Sequence, residues 1–300
     1  MKATEARLDE IRRTAAALPA SAPKDSYYDL PLLKAPVWTW EIPTYFFIGG
    51  AAGAAAVIGA AARMTGANEK LVRDARWIAA IGANLSTPLL IADLGRPERF
   101  LYMLRIFKPQ SPMSVGAWIV AAFGGASTAA LFVPTKTLKD LAAFASAATG
   151  LGMATYTGVL LGATAIPVWA EHVATLPIHF GASALGSAAS LLQLRGHDTR
   201  AIRSLALGAA VVETATSIAM ERRDHAADDA TKRTTRLGGI LAGPVPLALR
   251  LLGGRSKTMR RMAAVSALAG SLITRFEWVA AGKESARNAA AALAPRRDSK

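Results

Sequence analysis

A few ionisable and hydroxyl side chains interrupt long apolar runs in this chain, and they are the groups that could do chemistry. Asp93 closes one run and leads into Leu94–Gly95–Arg96–Pro97–Glu98–Arg99–Phe100. Glu41 opens the first run behind Trp40, Tyr156 lies late in the fourth, and Glu213 sits near the middle of the sixth. Arg275 and Glu277 come late in the last. Ionisable groups in an apolar membrane segment are costly, so each is by default a functional-site hypothesis. A carboxylate at mid-depth needs either a partner or a proton. The chemistry on offer is therefore proton and charge exchange. Structural alternatives stand beside it. Asp93 and Arg96 could simply cap a helix end, and Arg275 could snorkel its cation towards a polar surface.

The elements that must hold these residues are apolar stretches, eight in all, at roughly residues 42–62, 77–92, 115–133, 141–166, 177–194, 205–220, 237–252 and 262–281. A helix needs about 20 mostly apolar residues to cross the hydrocarbon core of a bilayer. In lipid the backbone must satisfy its own hydrogen bonds, so the stretches are expected to be helices. The seventh carries a Gly243–Pro244–Val245–Pro246 break. A soluble all-α domain would show polar stripes at helical spacing, and residues 48–62 show none. The expected fold is an all-α polytopic membrane protein, a bundle of eight transmembrane helices.

Composition agrees. The chain is 52% hydrophobic with only 7% aromatic residues, because Ala and Gly fill the spans. Small residues let helix backbones approach closely in lipid, and small-xxx-small spacings recur at Gly49–Gly53 and Gly158–Gly162. The chain has no cysteine, which excludes disulfides, thiol chemistry and cysteine-ligated Fe–S clusters in it. The net charge of +14 is scattered over many loops, so it argues against a nucleic-acid face and reads first as a topology signal.

Three parts are expected: a polar N-terminal arm over residues 1–36, a helical bundle over 37–285 and a basic tail over 286–300. Eight crossings would put both ends on one side, the terminal side, with the loops 93–114, 167–176 and 221–236. The far side would hold the loops near 63–76, 134–140, 195–203 and 253–261. Basic residues divide about evenly between the two sets of short loops, so orientation stays open. At about 1.5 Å per residue, Tyr156 and Arg275 lie roughly 20 Å along helices that start on the far side. With Glu41, Asp93 and Arg96 they converge on the terminal-side membrane face.

The same residues carry a family resemblance. Lys34–Ala35–Pro36–Val37–Trp38–Thr39–Trp40–Glu41–Ile42–Pro43–Thr44–Tyr45–Phe46–Phe47–Ile48–Gly49–Gly50–Ala51–Ala52–Gly53 resembles the opening of the NrfD/polysulfide-reductase membrane-subunit family. The segment from Asp93 to Phe100 resembles that family's loop after the second helix. Lys108–Pro109–Gln110–Ser111–Pro112–Met113–Ser114–Val115–Gly116 is similar to the start of its third helix, and Tyr156–Thr157–Gly158–Val159–Leu160–Leu161 to its fourth. Arg275 fits an arginine of its last helix. Four motifs occur in order over residues 34–285. The length resembles a shorter, eight-helix branch found as anchors beside molybdenum or tungsten formate dehydrogenases.

The resemblance implies a quinone-reactive anchor under an iron–sulfur electron-transfer subunit, itself fed by a molybdopterin catalytic subunit. It implies menaquinone or ubiquinone at the face that meets the iron–sulfur subunit. A quinone head group needs hydrogen bonds to its carbonyls and a proton for each electron. Tyr156 can donate one such bond. Asp93 or Glu41 could supply protons, tuned by Arg96 or Arg275. Family members that place a histidine near the start of the first helix differ from this chain, where Trp38, Trp40 and Glu41 stand instead.

A cytochrome b anchor would need histidines facing each other across helices. The four histidines read as loop residues (His172, His197, His225) and one at the lip of the fifth span (His179), so no haem is expected. No residue cluster has metal-ligand spacing. An alternative function is a transporter-like subunit that moves ions or protons, with Glu213 as the proton-path candidate and the broken seventh span beside it.

Overall fold

The computed structural model describes residues 33–223, 229–253 and 256–287. Most of the expected arm and nearly all of the expected tail lie outside the described residues. Among the described residues the chain is all-helical. The order is α1 (Glu41–Met64), α2 (Glu69–Asp93), α3 (Glu98–Arg105), α4 (Pro112–Phe132), α5 (Lys136–Gly162) and α6 (Pro167–Ala170). Then come α7 (Thr175–Leu194), α8 (Arg200–Arg223), α9 (Asp229–Ala242), α10 (Pro244–Leu252) and α11 (Lys257–Arg287).

Each expected apolar stretch lies within or overlaps these helices. Four of them, α1, α4, α5 and α8, are long and apolar enough to cross a membrane, and α2 with α3 makes a fifth if the bent pair counts as one span. The others fall short for readable reasons. Helices α9 and α10 are only 14 and 9 residues long, divided at Gly243, with Pro244 as the first residue of α10. Helix α7 carries His179, Gln193 and several serines, and α11 carries Arg275, Glu277 and Lys283.

Two expected loops contain helices. After Asp93 the chain turns by 104° into α3. Gly95 makes that turn with φ +72°, a backbone shape that suits a residue without Cβ. Phe100, Met103 and Leu104 share one face of α3 and pack on the core, while Leu101, Tyr102 and Arg105 are exposed. The second loop holds the short α6.

Helix α1 is the axis of the first half. It packs on α2, α5 and α7, and 78% of its apolar window is buried, against 28% for α4 and α8. The latter two therefore present the broadest faces to the bilayer. Small residues permit the crossings. A Cβ on Gly53 would run into the carbonyl of Gly150, and one on Gly158 would meet the Leu176–Pro177 backbone. The core has two parts. An aromatic cluster with Phe46, Phe123, Trp169, Phe180 and Trp278 lies towards the terminal side, and an alanine-rich cluster with Ala55, Ile58, Ala75, Ala188 and Leu192 lies towards the far side.

Ion pairs close the far side. Asp140 meets Arg76 at 2.7 Å and Arg63 at 3.0 Å, joining α1, α2 and α5. Asp74 meets His197 at 2.8 Å and Arg195 at 3.3 Å, joining α2 to the turn after α7. Asp198 meets Arg260 at 2.7 Å, bringing in α11. Arg250 of α10 donates to Gln193 Oε1 at 2.8 Å and Ser190 Oγ at 3.1 Å. Asp74 and Asp140 lie outside the apolar stretches. Hydrogen bonds from His197 and Arg195 hold the Asp74 carboxyl below its ordinary range, and those from Arg63 and Arg76 do the same for Asp140.

Candidate functional site

Thr39, just ahead of α1, ties two of the candidate residues together. Its backbone N–H donates to Asp93 Oδ1 at 3.4 Å, and its hydroxyl donates to Glu41 Oε2. The start of α1 and the end of α2 are thereby joined. Glu41 is buried and Asp93 half-buried. Trp40 is 60% exposed, and Arg96 is exposed in the turn before α3, so both stand at the rim of this junction.

Tyr156 belongs to the neighbouring contact between α4 and α5. Its hydroxyl donates to the Pro112 carbonyl at 2.6 Å. Its ring covers Gly116, where an added Cβ would come within 3.1 Å of Tyr156 Cε1. The two sequence motifs around Pro112 and Tyr156 are thus the halves of one contact. Ser111 caps α4 by accepting from the Ser114 N–H at 3.4 Å, which sets the start of that helix. The buried Tyr45 lies within electrostatic reach of Tyr156, and its hydroxyl is 4.0 Å from Met153 Sδ. Tyr45 stands in the opening motif, where nothing in its spacing marks it as a neighbour of Tyr156.

Arg275 and Glu213 form a second group, in the other half of the bundle. Arg275 is fully buried on α11. Its Nη2 donates to the Phe180 carbonyl at 3.0 Å, and its Cζ stands 3.8 Å above the Phe180 ring, a cation–π contact. Glu213 on α8 is 2% exposed. Ser183 lies beside it, and Arg275 is within electrostatic reach. Ser183 in turn donates to Ser271 of α11 at 2.8 Å. Glu277 lies apart from this pair, where both its carboxylate oxygens accept from the Gly238 N–H at 2.9 and 3.0 Å.

His172 and His179 hold the positions expected of them but are more deeply buried than those positions suggest. One was expected in a loop and the other at a lip, and both are 1% exposed. His172 does lie in the turn between α6 and α7, with its ring edge-on to Trp278 at 5.7 Å. Hydropathy assigns loop histidines to solvent, and no spacing in the sequence marks them otherwise.

A tryptophan seam joins the two groups. Trp38 stacks on Trp169 at 5.5 Å, and Trp169 Nε1 donates to the Trp278 carbonyl at 2.8 Å. Phe46 and Phe180 continue it, with ring centres 6.5 Å apart. The segment before α1 thus docks on α6 and, through it, on α11. Among the described residues no three side chains are grouped to hold a metal ion. The seven candidates divide into Glu41, Asp93 and Tyr156 near the first-half surface, Trp40 and Arg96 at its rim, and Glu213 with Arg275 inside the second half.

An all-helical chain with four or five helices fit to cross a bilayer, and with charged groups enclosed among them, is an integral membrane subunit. It belongs to the NrfD family: a family model described as polysulfide reductase matches residues 25–288. Members of that family are in general quinone-interacting membrane subunits of respiratory oxidoreductases and work with iron–sulfur and molybdopterin subunits. No curated protein matches this chain.

Proposed function

We propose that this chain is the eight-helix membrane anchor and quinone-reactive subunit of a molybdopterin oxidoreductase, formate dehydrogenase-like, in the cell's inner membrane. It exchanges electrons between an iron–sulfur partner on the terminal side and menaquinone or ubiquinone. Helicity across all eight apolar stretches supports the crossing number, with α9 and α10 sharing the seventh.

The junction of α1 and α2 at Thr39, with Tyr156 alongside on α5, is the observation that carries this reading. The two carboxyls tied at Thr39, taken with the phenol of the neighbouring contact between α4 and α5, would make a donor set suited to a quinone head group. Bound quinone would supply the electron-accepting ring. Tyr156 is a single-proton donor now engaged by the Pro112 carbonyl, and a small rotation of its hydroxyl would offer that proton to a ligand oxygen. Asp93 and Glu41 would hold protons at the same face. Arg96 places a cation on the rim, and Trp40 adds an apolar wall.

The test uses the assembled complex. Tyr156→Phe and Asp93→Asn should each lower quinone reduction about tenfold, the loss of one good hydrogen bond to the ligand. Reduction of an artificial dye by the catalytic subunit should be unchanged. Full quinone activity in both variants would mean that the pocket lies elsewhere.

One observation favours a second reading, in which the second half also moves protons. Glu213 Oε1 is buried without a hydrogen-bond partner. A proton role predicts that Glu213→Gln slows turnover in assembled complexes. A purely structural role predicts poorer assembly with normal activity per complex.

A further inference from the structure

A cavity of about 170 Å³ opens in the second half, between α7, α8, α9, α10 and α11. It is separate from the Thr39–Tyr156 junction: none of the residues of that junction lines it. Its floor includes Trp278 and Met220. Its mouth lies between Glu221 and Arg236, which approach to 4.0 Å, and beside Ile218 and Ile240, both partly exposed on the helix surfaces.

The polar groups in the wall are short of partners. His179 Nε2, Ser217 Oγ and Thr274 Oγ1 are buried atoms with no hydrogen-bond partner, and His179 and Thr274 are each only 1% exposed. Leaving such atoms unmatched is costly, so the site is built for something that supplies the missing bonds.

The hydrogen bonding of His179 defines what that is. Its Nδ1 lies 2.9 Å from Thr216 Oγ1. Thr216 has a single hydroxyl proton, and the backbone carbonyls of Val212 at 2.8 Å and Glu213 at 3.0 Å both lie within its reach. A threonine bonded to its own helix turns a lone pair towards His179, and in that arrangement Nδ1 carries the ring proton. In the neutral ring Nε2 is then an acceptor. An acceptor calls for a donor, and a ketone or ether oxygen does not provide one. Size narrows the choice further. A dry cavity of about 150 Å³ accommodates benzene, so this one has room for a single six-membered ring with small substituents.

We propose that this cavity is a second small-molecule site, which takes one aromatic ring bearing a hydroxyl group. The hydroxyl donates to His179 Nε2, Ser217 and Thr274 complete its hydrogen bonds, and the ring lies against Trp278 and Met220. The site is entered from the terminal side, past Glu221 and Arg236.

The experiment titrates the full chain in lipid nanodiscs with 4-fluorophenol and, separately, with 4-fluoroanisole, which has the same ring and no donor. Fluorine NMR reads binding against empty nanodiscs. One saturable site per chain is expected, preferring the phenol by about tenfold, the value of one matched hydrogen bond. His179→Phe should abolish the preference, and Gly239→Leu, which projects a side chain into the space, should abolish saturable binding of both probes. Nitrogen NMR of the unmodified chain provides a check that needs no variant: the phenol should shift the His179 Nε2 resonance and leave Nδ1 protonated. Absence of saturable binding, equal affinity for the two probes, or binding that survives Gly239→Leu would each overturn the proposal.

Discussion

The two ends of the bundle treat polar groups in opposite ways. On the far side every charged group in the closing set has a partner: Asp140 holds two arginines, Asp74 a histidine and an arginine, and Asp198 one arginine. Arg76 Nε, Arg250 Nε, Gln193 Nε2 and Asp198 Oδ1 lack partners there, but each of these side chains is anchored through another atom. Towards the terminal side, Glu213 Oε1, His179 Nε2, Thr274 Oγ1 and two nitrogens of Arg275 have no hydrogen-bond partner. Each unmatched buried group costs about 1–3 kcal/mol. The far side pairs its charged groups, and the terminal side leaves several buried polar atoms unmatched.

The largest break in that contrast comes from Arg275. Arg275→Met removes the cation near Glu213 and the donor to the Phe180 carbonyl. It should destabilise the folded chain by about 3 kcal/mol, as expected when one of two buried opposite charges is lost. Adding Glu213→Gln should recover part of the loss, and unfolding in mixed micelles measures the coupling. If Arg275→Met alone leaves stability unchanged, the two groups do not depend on each other.

On the far side Asp140→Asn should cost about 1–2 kcal/mol, since charge-assisted hydrogen bonds to Arg63 and Arg76 are weakened. Quinone activity per folded complex should stay normal. Lowered specific activity in this variant would dissolve the division between a holding face and a working face.

A smaller effect follows from pH. The folded-state affinities of Asp74 and Asp140 for protons are depressed, so their contribution to stability is fully present above the ordinary carboxylate pKa of about 4. It is lost as the pH falls through their lowered folded values. Unfolding measured from pH 7 down to pH 3 should show stability falling at the acid end. Asp74→Asn together with Asp140→Asn should flatten that fall.

The sequence made the helices legible, because unbroken apolar runs leave the backbone little choice. It also made the Gly243–Pro244 break and the Tyr156 and Pro112 motifs legible, and these two motifs proved to be one contact. It did not show that the candidates form two groups, since depth along a helix does not say which neighbours a helix has. The ion-pair set on the far side was hidden for a similar reason. Asp74 and His197 are 123 residues apart, and charges in separate loops read as scatter until the helices bring them together. The 104° turn into α3 depends on Gly95, whose positive φ a loop-like segment does not announce. His172 and His179 were legible as residue types and not as buried ones.

Photolabelling of the intact complex with an azidoquinone, followed by peptide mapping, tests the central claim most directly. Label is expected on the peptides that carry Thr39 to Tyr45, Asp93 to Arg96 and Met153 to Tyr156, reduced by excess unmodified quinone and by Tyr156→Phe. Label confined to the far-side peptides around Asp74, Asp140 and Asp198, with those segments untouched, would contradict it.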